Sequence, residues 1–111
     1  MNFKQKDLVI LAYPFRDIKK RKIRPALIIS NNKINEKSRD MILVPLTSIT
    51  KEFPHSILIN QSNLSSGMLI KESRIRIDKI FSLDKKLILK RIGSLNEKTF
   101  NKVKIEFNKL I

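Results

Sequence analysis

The stretch Lys22-Ile23-Arg24-Pro25-Ala26-Leu27-Ile28-Ile29-Ser30 leaves this chain few ways to fold. A basic run from Lys19 to Arg24 stops abruptly where an apolar run begins. Ile23 to Ser30 has the composition of a buried strand, and Pro25, which has no N–H, places that part of it at a sheet edge or bulge. The preceding segment, Phe15 to Lys22, is strongly basic with only Asp17 acidic. It cannot bury itself, so it is a solvated hairpin loop. Before it, Asp7 to Pro14 is a near-continuous apolar run closed by a proline, which is a first buried strand. Arg24 is therefore the last cation before a rigid strand and lies beside a cationic loop. That arrangement suits gripping and polarising a phosphate. The alternative is a surface arginine that closes a hairpin.

The rest of the chain continues in short elements. Asn31 to Arg39 is a polar connection, and Met41 to Leu46 is a third apolar strand that contains Pro45. Thr47-Ser48-Ile49-Thr50 leaves it as a turn of hydroxyl residues. Ser56 to Asn60 is a fourth strand, Gln61 to Gly67 a turn, and Met68 to Ile70 a candidate further strand. Ser73 to Asp78 alternates, with Ile75 and Ile77 on the core side and Arg74, Arg76 and Asp78 on the wet side. The pattern predicts a short helix over Asp84 to Arg91, capped by Asp84 and stapled by Leu83 and Ile88. Ile92 to Ser94 returns to the sheet. Asn96 caps a terminal helix with Leu95 and Phe100 at staple spacing, and Phe100, Val103, Phe107 and Leu110 recur on one face of it. Lys98, Lys102 and Lys109 occupy the opposite face. Several short strands and a capped last helix make a small α+β domain, mainly β. It is a curved antiparallel sheet or open barrel under helical cover, spanning 1–111 as one unit.

Charge and ligand chemistry narrow the function. The formal net charge is +14, from 24 basic and 10 acidic residues, which points to a polyanionic partner. An AT-rich genome, which favours Lys, Asn and Ile, would also raise the charge. There is no cysteine and one histidine, His55, so neither a thiolate zinc site nor a histidine pair is available. The acidic residues are scattered singly, without the clustered carboxylates that hold magnesium, and no Gly-rich phosphate loop occurs. No cofactor or metal is expected. Leu8 to Tyr13 is too short for a membrane span or a signal sequence core, so the expected location is the cytoplasm.

Five stretches, in order, resemble the MazF/PemK family of bacterial toxin endoribonucleases. They are Asp7-Leu8-Val9-Ile10 through Pro14-Phe15; Lys22-Ile23-Arg24-Pro25-Ala26-Leu27-Ile28; Ile42-Leu43-Val44-Pro45-Leu46-Thr47-Ser48; Ile77-Asp78-Lys79-Ile80-Phe81-Ser82-Leu83-Asp84-Lys85; and Ile92-Gly93-Ser94-Leu95. The resemblance implies an SH3-like barrel that works as a homodimer. It also implies metal-independent cleavage of single-stranded RNA or mRNA at a short sequence, and neutralisation by an acidic antitoxin. The family's catalytic arginine falls on Arg24 and its catalytic threonine on Thr47. Its groove-gating loop falls on Phe15 to Lys22, and its base-contacting segment on Asp78 and Lys79. One departure is Lys6, where the family commonly has glycine. A lysine there is expected to hold ordinary φ/ψ and to alter how the chain enters the barrel. The glycine-free first loop is a second departure.

The residue chemistry agrees with these roles. A guanidinium at Arg24 can contact two non-bridging oxygens of a phosphorus centre that gains negative charge. Thr47, with Ser48 beside it, can donate to a phosphate oxygen, or its hydroxyl can serve its own turn. Phe15, Arg16, Lys19, Lys20, Arg21 and Lys22 suit a single strand, with cations along its backbone and a ring against a base. Arg76 and Lys79 extend that surface and Asp78 can read a base edge, unless they form an ordinary ion pair. His55 is a turn histidine, and the base that takes the 2′-hydroxyl proton is unassigned. Two other readings remain: a gyrase-poisoning toxin of the same fold, and a nucleic-acid-binding barrel without turnover.

Overall fold

The computed structural model describes residues 2–13 and 22–111, with the side chains of Tyr13 and Lys22 left out. Among the described residues, eight strands and two helices follow in order: β1 Asp7–Tyr13, β2 Lys22–Ile28, α1 Asn32–Lys37, β3 Asp40–Thr47, β4 Ser56–Ile59, β5 Leu64–Gly67, β6 Ser73–Arg76, β7 Phe81–Asp84, β8 Ile88–Leu95 and α2 Glu97–Leu110. Every pairing is antiparallel, in the order β4-β6-β3-β2-β1-β8-β5, with β7 also on β3. β3 pairs with β7 through Asp40 to Leu43 and with β6 through Leu46 and Thr47. This strand therefore passes from one part of the curled sheet to the next.

β1 and β3 are nearly continuous apolar runs because both of their faces are buried. Leu8, Leu27, Val44 and Leu46 face a cluster with Ile59, Ile75, Ile77, Leu95, Phe100 and Val103, which brings in α2. The alternate residues, Val9, Leu11, Ala26, Ile28, Met41 and Leu43, face a second cluster with Ile88, onto which Phe3, Phe81 and Leu83 pack. The terminal helix follows its sequence signals: the Asn96 side chain accepts from Thr99 N at 2.8 Å, and Leu95 and Phe100 are both buried.

Five local expectations are corrected. Asp84 does cap, accepting from Lys86 N at 3.0 Å, but only a single 3₁₀ turn over Lys85–Leu87. Ile88 to Arg91 is strand, because the free edge of β1 is paired by β8. Gln61–Asn63 is a 3₁₀ turn, and the rest of the expected turn is β5, which pairs with the end of β8. Met68 to Ile70 forms no strand, and the side chains of Met68 and Ile70 stand in solvent. The polar connection after β2 contains α1, capped by Asn31, whose side chain accepts from Ile34 N at 2.9 Å.

Lys6 is the fifth correction. It does not hold ordinary φ/ψ: its φ is +79°, the left-handed region that glycine enters freely. Hydrogen bonds on both sides hold it there. Its N–H donates to Ile28 O at 3.0 Å, and its carbonyl accepts from Leu95 N at 2.9 Å. The next residue, Asp7, is buried and accepts from Lys4 N at 2.8 Å. The Lys6 side chain offsets part of the strain by pairing with Glu97 and lying 5.9 Å from the centre of the Phe100 ring.

Two predictions follow from these backbone positions. Lys6→Gly will be more stable than Lys6→Ala by about 1 kcal/mol, because both lose the side chain but only alanine keeps the left-handed penalty. Urea denaturation of the two variants measures the difference, and equal midpoints would contradict it. Gly67 has φ +82°, and an added Cβ would overlap the Ile92 carbonyl oxygen and the Gly93 Cα. Gly67→Ala will therefore cost at least about 2 kcal/mol, read as a lowered thermal midpoint.

Candidate RNA-cleaving groove

Arg24 and Thr47 come from adjacent strands. β2 and β3 pair as Ala26↔Pro45, Leu27↔Val44 and Ile28↔Leu43. Neither Pro25 nor Pro45 can donate a hydrogen bond, and the ladder stops there. Continuing the same register two residues further sets Arg24 opposite Thr47. Both line one open groove of about 470 Å³, together with Ser48.

The groove's remaining walls are Ile10, Ile23, Pro25, Leu46 and Ile92, with the segment Leu69 to Lys71 across one side and Ser73 at its base. Among the described residues its polar side chains are two cations, Arg24 and Lys71, and three hydroxyls, Thr47, Ser48 and Ser73; no carboxylate lines it. This donor set on an apolar wall fits a phosphodiester and its sugar. Arg24 is exposed and has no ion-pair partner among the described residues.

Thr47 is half-buried and its Oγ1 accepts from Ile49 N at 3.2 Å. The hydroxyl thus serves its own turn, as its residue type favours, and that bond also orients it. Because the oxygen is the acceptor, its proton stays available for a ligand oxygen. Thr47 pairs with Arg74 on β6. The Arg74 guanidinium reaches Thr50 O from Nε and Nη2 at 3.4 and 3.3 Å, and Ser56 Oγ from Nη1 at 3.2 Å. Arg74 thereby ties down the segment that follows Thr47 and Ser48. Sequence reasoning had Arg74 only as an outward-facing cation; its pairing partners are non-local and left no signal.

Arg76, Asp78 and Lys79 line no part of this groove. Arg76 grips Asp78 with two hydrogen bonds, Nε to Oδ1 at 2.9 Å and Nη2 to Oδ2 at 2.8 Å, and its guanidinium lies 4.2 Å from the centre of the Phe53 ring. Those bonds hold the Asp78 carboxyl below its ordinary range and raise Arg76 above its own. Of the two sequence readings for this pair, the structure has the ion pair. Lys79 is exposed in the turn after β6, where its N–H meets Arg76 O at 3.2 Å. Phe15, Arg16, Lys19, Lys20 and Arg21, and the side chain of Lys22, lie outside the described residues.

His55 is a half-buried turn residue with φ +55°, and its Nδ1 lies 3.3 Å from Glu106 Oε1 on α2. It does not line the groove. A second groove, of about 490 Å³, lies along α2 and β3; its walls include Ile29, Ile34, Ile42, Val44, Ile80 and Phe107, and among the described residues Lys104 is its one cation. Its one hydroxyl among the described residues, Ser30, is already hydrogen-bonded to Asn35 and Ile42, which leaves it poorer in free donors than the first groove. Among the described residues no three His, Cys, Asp or Glu side chains group to hold a metal ion, and no helix is long and apolar enough to cross a membrane.

The fold has solved counterparts. A MazE–MazF complex from Deinococcus radiodurans superposes with a TM-score of 0.81 at 20% identity, covering 99% of this chain and 96% of that one. An endoribonuclease in complex with its cognate antitoxin, from a mycobacterial species, gives 0.78 at 21% identity over 96% and 91% of the two chains. The Mycobacterium tuberculosis toxin MazF-mt6 gives 0.71 at 15% identity over 91% and 93%. These likenesses establish the barrel-like fold with its terminal helix. No curated protein sequence matches the chain. The sequence pattern of the PemK-like, MazF-like toxins of type II toxin–antitoxin systems matches residues 4–111, and the chain belongs to that family.

Proposed function

We propose that this toxin is a metal-independent endoribonuclease that cuts single-stranded RNA at a short sequence. The observation that carries the reading is the meeting of Arg24, Thr47 and Ser48 in one groove that no carboxylate lines among the described residues. Family membership and endoribonucleases of the same fold support it.

In the proposed reaction the substrate supplies its own nucleophile. The ribose 2′-oxygen attacks the adjacent phosphorus, and the bond from phosphorus to the 5′-oxygen breaks. The products are a 2′,3′-cyclic phosphate and a 5′-hydroxyl; the 2′ proton leaves to a base and the departing 5′-oxygen gains one. Arg24 neutralises the extra charge on the non-bridging oxygens, a task that suits a planar, permanently charged fork. Thr47 donates its free proton to one of those oxygens and fixes the phosphate's orientation. Ser48 and the basic segment Phe15, Arg16, Lys19, Lys20, Arg21 and Lys22 hold the strand on either side. Arg76 and Asp78, whose hydrogen-bonding groups meet each other, act as structure, with Lys79 free at their turn for a more distant phosphate.

The proposed partners follow from charge and family. An acidic antitoxin would find a complementary surface on a chain of net charge +14, and proteins of this fold have been solved with antitoxins bound. The toxin would act in the cytoplasm, where its RNA is, and as a homodimer; sedimentation at micromolar concentration checks the dimer, and a strict monomer counts against it.

The decisive assay uses purified protein, synthetic single-stranded RNA and EDTA. The parent will leave cyclic-phosphate ends and will not cut the same strand when a 2′-deoxy residue replaces the attacking ribose. Arg24→Ala will lose about 10²- to 10³-fold in kcat, the usual cost of one oxyanion donor. Thr47→Val will lose about tenfold, as expected for one hydrogen bond of about 1–1.5 kcal/mol. Parent-like turnover by Arg24→Ala would overturn the mechanism.

A further inference from the structure

We infer that Lys71 is a second phosphate anchor of the cleavage groove, holding a phosphodiester that neighbours the scissile one. The inference rests on the nuclease reading above and concerns a residue to which that reading gives no role.

The chain path puts Lys71 there. β5 ends against β8, with Gly67 opposite Gly93 and Met68 N donating to Ile92 O at 3.0 Å. β6 begins at Ser73, paired with β4. The segment between them therefore crosses from one end of the curled sheet to the other and forms a wall of the groove with Leu69, Ile70 and Lys71. Its backbone is fixed at both ends. Leu69 N donates to Gln61 Oε1 at 2.8 Å, and the Lys71 carbonyl accepts from Ser73 Oγ at 3.0 Å, where Ser73 is buried.

The side chain is left free. Lys71 is exposed, and its ammonium has no hydrogen-bond or ion-pair partner among the described residues. A lysine held at its backbone has only its side-chain rotamers left to order when it meets an anion. It shares the groove with Arg24 and with no carboxylate among the described residues, so the cations are not neutralised from within. With Arg24 on β2 at the scissile phosphate, Lys71 on the segment between β5 and β6 is left to a different phosphate of the same RNA strand. A lysine acts there as a point charge that binds without reading sequence. Ile70 beside it is 86% exposed and offers an apolar face to the sugar or base between the two phosphates.

The test is the salt dependence of binding to a 2′-deoxy-substituted, uncleavable strand. Each phosphate contact to a single strand contributes about 0.7 to the slope of log affinity against log salt. Lys71→Gln will lower the slope by about that amount; between about 50 and about 200 mM salt the parent then loses roughly 2.6-fold more affinity than the variant. Lys71→Arg will restore the parent's slope, and Lys102→Gln, on the outer face of α2, will leave it unchanged. On cleavable RNA, Lys71→Gln will raise KM and leave kcat near the parent's. A parent that neither binds nor cuts RNA overturns this inference together with the nuclease reading. A parent that cuts RNA, with Lys71→Gln keeping the full slope, overturns the Lys71 contact alone.

Discussion

Burial of both faces along the central residues of the first three strands is the constraint on which the structure depends. A sheet with one wet face would leave half of β1, β2 and β3 polar, and here consecutive residues such as Leu8 and Val9, or Leu43 and Val44, enter opposite clusters. The sheet must curl so that α2 covers one side and residues from β7 and β8 cover the other. Antiparallel ladders then hold the strand ends at fixed separations. Side chains placed at those ends, such as Arg24 and Thr47, inherit the stiffness of the whole core.

The groove sits where that stiffness ends. Pro25 and Pro45 stop the ladder between β2 and β3. The two residues beyond the stop, Arg24 and Thr47, are free of the ladder yet still belong to strands anchored by buried neighbours. Arg74 extends the control by tying the segment after Thr47 to β4 and β6. The other basic residue of β6, Arg76, is spent on Asp78 and on the face of Phe53. Two arginines in one short strand thus do different work, and neither faces the groove.

What was legible in the chain was local. The apolar runs, the alternation of Ile75 and Ile77, and the cap and staple of α2 each depend on residues a few positions apart, and each appears as expected. The five stretches that carried the family resemblance also placed Arg24 and Thr47, which the structure brings to one groove. The misreadings share a non-local cause. Asp84 is a true cap, but Ile88 to Arg91 answers the open edge of β1, some eighty residues earlier, and becomes strand. Lys6 was expected to keep ordinary backbone angles because lysine disfavours the left-handed region; partners on β2 and β8 outweigh that preference. Arg76 and Asp78 were legible as either a binding surface or an ion pair, and their mutual geometry has the ion pair, because a sequence shows charges but not whether they are already satisfied.

The turn at Lys6 acts as a clasp between the beginning and the end of the chain. One peptide is fastened to β2, and the next to Leu95, the last residue of β8 before the cap of α2. Releasing it frees two sheet margins together and removes the lysine that lies over Phe100 and pairs with Glu97, so fraying of the N-terminal turn and of the C-terminal helix is coupled. A truncation at either end would therefore loosen the other, although more than eighty residues separate them in sequence.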